Sequence, residues 1–189
     1  MQRPPPPEFA DDKHRLQAEE FLLEHGRFSV AFERVCEAMR HSILLIFLSE
    51  GLTHEGLARV VIGDKASAEL QVLLGALFTE LRNRYEAEDQ CAVQKLLKEV
   101  MELTEARNIV IHSAWRFGKN AAFAELYATT IRPRTKQKKG AVPELHGLSA
   151  QYLRDLTVQA NTLEFKLRRL QRCVLQSSLR VSAELAKSP

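Results

Sequence analysis

The chain has 189 residues, 45% of them hydrophobic and 27% charged, enough for one domain with a substantial core or a helical domain with an extension. Its longest apolar run, Ile43 to Leu48, falls far short of the roughly 20 residues that span a bilayer, so no membrane segment is expected. The formal charge of +3 hides an asymmetry: residues 1–106 carry 12 Lys/Arg against 19 Asp/Glu, whereas residues 107–189 carry 15 against 5.

The first residues do not read as a secretory signal, because Pro4 to Pro7 and Asp11-Asp12 stand where an apolar segment is needed. Cys36, Cys91 and Cys173 are widely spaced and odd in number, which fits a reducing cytoplasm better than a disulfide framework. The six histidines are scattered without HExxH or Cys/His ligand spacing, so neither a metal nor another cofactor is expected.

Residues 1–10 are expected to form a polyproline-like, disordered tail, since four successive prolines cannot enter a helix. A first helix is expected from Asp11 to about Gly26, with Leu16, Phe21, Leu22 and Leu23 as its apolar residues. A second, from Phe28 to Ser49, carries Val30, Phe32, Val35, Met39, Ile43, Leu44, Phe47 and Leu48 at helical spacing and stops at Glu50-Gly51. Leu52 to Gly63 reads as a short helix, with Val60-Val61-Ile62 too brief to exclude a strand. Asp64 is expected to cap a helix from Lys65 to about Arg84, on which Glu80 and Arg84 form an i,i+4 pair. After the polar joint Glu86 to Asp89, a helix runs from about Gln90 to Val110 on Val93, Leu96, Leu97, Val100 and Leu103.

Phe117 to Tyr127 is expected to be helical. Ile131 to Lys139 is not, because prolines and five basic residues describe a basic loop or short hairpin within 131–148. Ser149 then caps a long C-terminal helix over 149–189, with a seam of Leu153, Leu156, Ala160, Leu163, Leu167, Leu170, Val174, Val181 and Leu185 interrupted at Ser177. That seam packs on the rest of the chain or on a protein partner.

Arg107-Asn108-Ile109-Val110-Ile111-His112 gathers a guanidinium, a carboxamide and an imidazole among apolar neighbours, at the point where the chain turns basic. Arginine stays charged and binds phosphate bidentately. Histidine is the side chain that transfers protons near neutrality. Asn108 precedes His112 by four residues and shares its helical face, whereas Arg107 lies about 140° round the helix. A complete site therefore needs the helix to bend or end there, or a second copy to supply the missing group. RNA carries its own nucleophile, the 2′-hydroxyl, so one proton-transfer group and one cation are enough parts for cleavage without metal.

The Arg-x4-His spacing, with a polar residue after the arginine and a long amphipathic helix before it, resembles the HEPN (higher eukaryote and prokaryote nucleotide-binding) superfamily. The resemblance covers roughly residues 28–130 of a domain drawn at 11–130. It implies an all-α helical bundle, here with a short basic loop or hairpin and a long C-terminal helix appended. It implies a homodimer that cuts RNA, often in a toxin or phage-defence setting, with Arg107 and His112 catalytic and Asn108 supporting them. Other members have lost catalysis and serve as nucleotide- or RNA-binding or dimerising modules. The tyrosine that one toxin branch places two residues after its histidine is absent, since Ala114 stands there.

Arg132, Arg134, Lys136, Lys138 and Lys139 are the candidate RNA-backbone contacts. Other readings stand beside these. His112 can be a hydrogen-bonded core histidine, Arg107 can pair with Glu102 or Glu105, Trp115 can be a packing residue, and the basic half can pair with the acidic half.

Overall fold

A computed structural model describes residues 12–112, 116–118, 127–136 and 140–188. Among them the order is α1 (Asp12–Ser49), α2 (Glu55–Ile62), α3 (Ser67–Glu80), a 3₁₀ turn (Leu81–Arg84), α4 (Ala87–Ile111), β1 (Arg116–Gly118), β2 (Tyr127–Lys136), β3 (Gly140–Leu148), α5 (Ala150–Leu175) and α6 (Val181–Leu185). The fold class is the expected helical one, with the basic segment forming the hairpin β2–β3.

The two expected N-terminal helices are one 38-residue helix. Gly26 does not end it, because a single helical glycine costs only about 1 kcal/mol and the buried stripe Ala18, Phe21, Phe28, Phe32, Val35 and Met39 continues past it. The helix stops where expected. Leu52 donates its amide to the Phe47 carbonyl at 3.0 Å and Gly51 to that of Leu48 at 3.1 Å. With Gly51 at φ 94°, this is a Schellman motif, in which glycine takes the left-handed position without a Cβ clash.

Val60-Val61-Ile62 is helical, with Ala58 and Ile62 buried one turn apart. The next helix begins at Ser67, later than Asp64 suggests, and Glu69 Oε2 accepts the Ala66 amide at 2.9 Å in the manner of a capping box. It buries Leu70, Leu74 and Phe78. Because the chain tightens into the 3₁₀ turn after Glu80, Arg84 does not take the expected i,i+4 partner. Its guanidinium forks onto Glu50, Nη2 to Oε2 at 2.8 Å, with Nη1 on the other oxygen.

The expected helix over 117–127 is replaced at its described ends by strand. Phe117 pairs with Ala128 and Gly118 with Tyr127 in an antiparallel sheet of order β1-β2-β3; residues 119–126 lie outside the described residues. Thr129, Thr130 and Ile131 are β-branched and favour the extended chain. Pro133 stands opposite Pro143. Two facing residues without amide hydrogens suit a non-hydrogen-bonded pair, where neither amide is needed by the ladder.

Ser149 caps α5 as expected, its Oγ accepting the Tyr152 amide at 3.2 Å. The seam is buried at Leu153, Leu156, Ala160, Leu163, Leu167 and Leu170, but the helix ends at Leu175 and α6 starts afresh at Val181. Asp89, itself buried, accepts the Ser182 amide at 2.8 Å and so caps this last short helix.

The chain divides into two compact units, one from Met1–Ser29 and Asn108–Leu156, the other from Val30–Arg107 and Thr157–Pro189. In the first, buried Glu24 accepts from Arg27 at 2.8 Å and from Arg154 at 3.2 Å, and Arg154 also meets Glu20. In the second, Gln171 Nε2 donates across the core to the Ala38 carbonyl at 2.9 Å, Gln71 to the Leu97 carbonyl at 2.9 Å, and Lys166 to Glu99 at 2.6 Å. The Gln171 bond lies inside the core and the other two at its edge, and together they fix helix register.

Candidate functional site

The buried apolar positions of α4 are Val93, Leu96, Val100, Leu103 and Val110. Their steps of three and four leave one gap, and Arg107 fills it, four residues after Leu103 and three before Val110. A charge thus occupies a place on the inner stripe of the helix. It is half-buried, and its guanidinium carbon lies 5.4 Å from the centroid of the Phe32 ring, which is only 2% exposed. A cation over an aromatic face within about 6 Å is attracted by the ring quadrupole. Phe32 and Cys36 are one turn apart on α1, and Arg107 and Arg40 both act on the Cys36 thiol. Burial nonetheless dominates there and, helped by Glu33, raises that thiol to about 11.

His112 is the first residue beyond α4. Its amide still donates to the Asn108 carbonyl at 3.3 Å, so the helix ends at the motif, one of the expected ways of opening it. His112 is exposed and Asn108 half-buried. A core histidine calls for a buried imidazole, whereas His112 is exposed.

Arg132, Arg134 and Lys136 stand at alternate positions of β2, opposite Glu144, Val142 and Gly140. Lys138, Lys139 and Trp115 lie outside the described residues. Phe32 was not legible as part of the site. The available signal was on α4, where the apolar register, continued through position 107, already calls for an interior neighbour to receive the guanidinium.

Among the described residues no cluster of three His, Cys, Asp or Glu side chains can hold a metal ion, and no helix is long and apolar enough to cross a membrane. Neither a protein-family model, a curated protein nor a solved structure matches the chain.

Proposed function

We propose that the chain is a metal-independent endoribonuclease of HEPN type, working as a homodimer in the cytoplasm. The observation that carries the reading is the exposed imidazole of His112 at the open end of α4, five residues after an arginine whose guanidinium is held on an aromatic ring. In this reaction the RNA 2′-oxygen attacks phosphorus while the bond to the 5′-oxygen breaks, leaving a 2′,3′-cyclic phosphate and a 5′-hydroxyl. His112 removes the 2′ proton or protonates the leaving oxygen, a role worth about 10²–10⁴-fold. Arg107 binds the phosphate oxygens that gain charge, worth about 10²–10³-fold, and Asn108 supports the site. Five residues of helical spacing set Arg107 about 140° round from His112, which favours a site completed by the second copy.

The test is cleavage of single-stranded RNA in excess EDTA, with the product ends identified. Wild type is expected to leave cyclic phosphate, and His112→Ala to lose at least about 100-fold. Equal rates for the two proteins would sink the proposal. Mixing His112→Ala with Arg107→Ala subunits is expected to restore part of the activity if each site draws on both copies.

A second reading has its own observation. Arg107 packed on Phe32 is also what a structural cation looks like, which favours a non-catalytic RNA- or nucleotide-binding or dimerising module. In that case Arg107→Ala unfolds the protein and His112→Ala changes nothing.

A further inference from the structure

A cleft of about 400 Å³ opens beside α1 and the C-terminal end of α2, with none of the motif residues in its lining. Its volume lies within the range of small-ligand sites. Leu44 and Ile62, 4% and 3% exposed, form an apolar floor, and Arg40, His41, Arg59 and Glu37 complete the lining.

Arg40 carries most of the argument. Its side chain is mostly buried, yet its contacts are long: Nη2 donates to the Lys65 carbonyl at 3.4 Å and Nη1 lies 3.5 Å from Glu37. Its Nε–H is buried and has no acceptor among the described residues. That nitrogen is shielded from the opening, so a ligand meets the exposed quarter of the side chain, and the oxygens of a phosphate match a guanidinium fork held by such long contacts. Arg59 is exposed and partly neutralised by Glu55, with Nε to Oε1 at 2.8 Å, so an anion at this cleft competes with that carboxylate. His41, adjacent to Arg40 and exposed, adds a third nitrogen donor at the same opening.

We propose that this cleft binds a small organic phosphate, with the phosphate on Arg40, Arg59 and His41 and an apolar body on Leu44 and Ile62. The inference does not depend on RNA cleavage.

The test is calorimetric titration of the full chain with phenyl phosphate, inorganic phosphate and benzoate. Phenyl phosphate is expected to bind saturably and about tenfold or more tighter than either of the others. Arg59→Gln is expected to weaken it about tenfold, the loss of one charge-assisted hydrogen bond, and Arg40→Gln by at least as much. Glu55→Gln, which releases Arg59, is expected to tighten binding. Melting curves establish that the variants are folded; if Arg40→Gln is not, the exposed Arg59 and Glu55 positions decide. No saturable binding of phenyl phosphate, equal binding of benzoate or inorganic phosphate, or unchanged affinity in Arg59→Gln would each overturn the assignment.

Discussion

If Phe32 holds Arg107 in place, the two side chains are energetically coupled, and a double-mutant cycle of Phe32→Leu and Arg107→Gln measures that coupling. Phe32 is 2% exposed. Leucine keeps the site apolar but removes ring atoms, costing about 1–3 kcal/mol, less than the 3–5 kcal/mol typical of Phe→Ala. The guanidinium lies 5.4 Å from the ring centroid on a half-buried residue. That places the cation–π contribution at about 0.5–2 kcal/mol, so the double variant should be more stable by that amount than the summed losses imply. Urea unfolding of wild type, both single variants and the double variant gives the number. A coupling inside the additivity scatter of about 0.3–0.5 kcal/mol would refute the idea that the ring holds the cation. The same variants separate chemistry from packing. On the proposed function, Phe32→Leu misplaces the arginine that would hold the phosphate and should lower kcat by up to about 100-fold with the protein still folded. An undiminished kcat alongside a measured coupling would remove Arg107 from the chemistry.

Three further outcomes follow from the described residues. A Cβ at Gly26 meets nothing within 4 Å, so Gly26→Ala should stabilise the continuous α1 by about 0.5–1 kcal/mol in thermal unfolding; destabilisation would mean the helix is interrupted there. Of the three thiols only Cys91 is exposed, while burial raises Cys36 and Cys173 to about 11, so a disulfide reagent at pH 8 should modify one thiol rapidly in the native protein and all three in denaturant. Buried Glu184 has its carboxyl held below the ordinary value by the Lys187 hydrogen bond first and the Arg169 hydrogen bond next, against the opposing effect of burial. A depressed folded pKa stabilises the native state above the unfolded carboxylate value of about 4.3 and loses that stabilisation as the pH falls through the folded value. Glu184→Gln should therefore flatten the acid limb of stability measured from pH 7 to 3, and an unchanged limb would refute the linkage.

The helices were legible where one stripe of apolar residues repeated without competition, as in α3, α4 and α5. Their ends were legible where a residue carries its own cap, as at Gly51 and Ser149. What escaped the sequence was decided by distant partners. Gly26 reads locally as a stop, but the buried stripe on either side of it outweighs one glycine. Leu175 is followed by a break whose restart at Val181 depends on Asp89, 93 positions before the Ser182 amide that it accepts. Phe117 reads as helical until Ala128 is available to pair with it. At the motif, the spacing of Arg107, Asn108 and His112 was visible, and so was the need for the helix to bend or end there or for a second copy. The ring that receives Arg107 was not, since it comes from another helix.

The charge asymmetry also changes meaning once the partners are known. Several cations of the basic half are matched to acids of the other half. Arg154 meets Glu20 and Glu24, Lys166 meets Glu99, and Arg180 meets Glu86, Glu88 and Asp89. Others are matched locally, Arg168 to Glu164 and Arg169 to Glu184. The excess of +10 after residue 106 is therefore a weaker argument for an anionic partner than its size suggests, because much of it offsets the −7 of the first half within one chain. On the proposed function, the described cations left to bear on RNA are those of the motif and of β2, namely Arg107, Arg132, Arg134 and Lys136, with Lys138 and Lys139 outside the described residues. This narrows the salt dependence of RNA binding. If only these groups neutralise phosphates, each contributing a slope of about −0.7 on single strands, log affinity against log salt should fall with a slope near −3 per chain. A slope near −10 would require the helical cations to leave their carboxylates, and would mean that the internal pairing is not what the basic half is for.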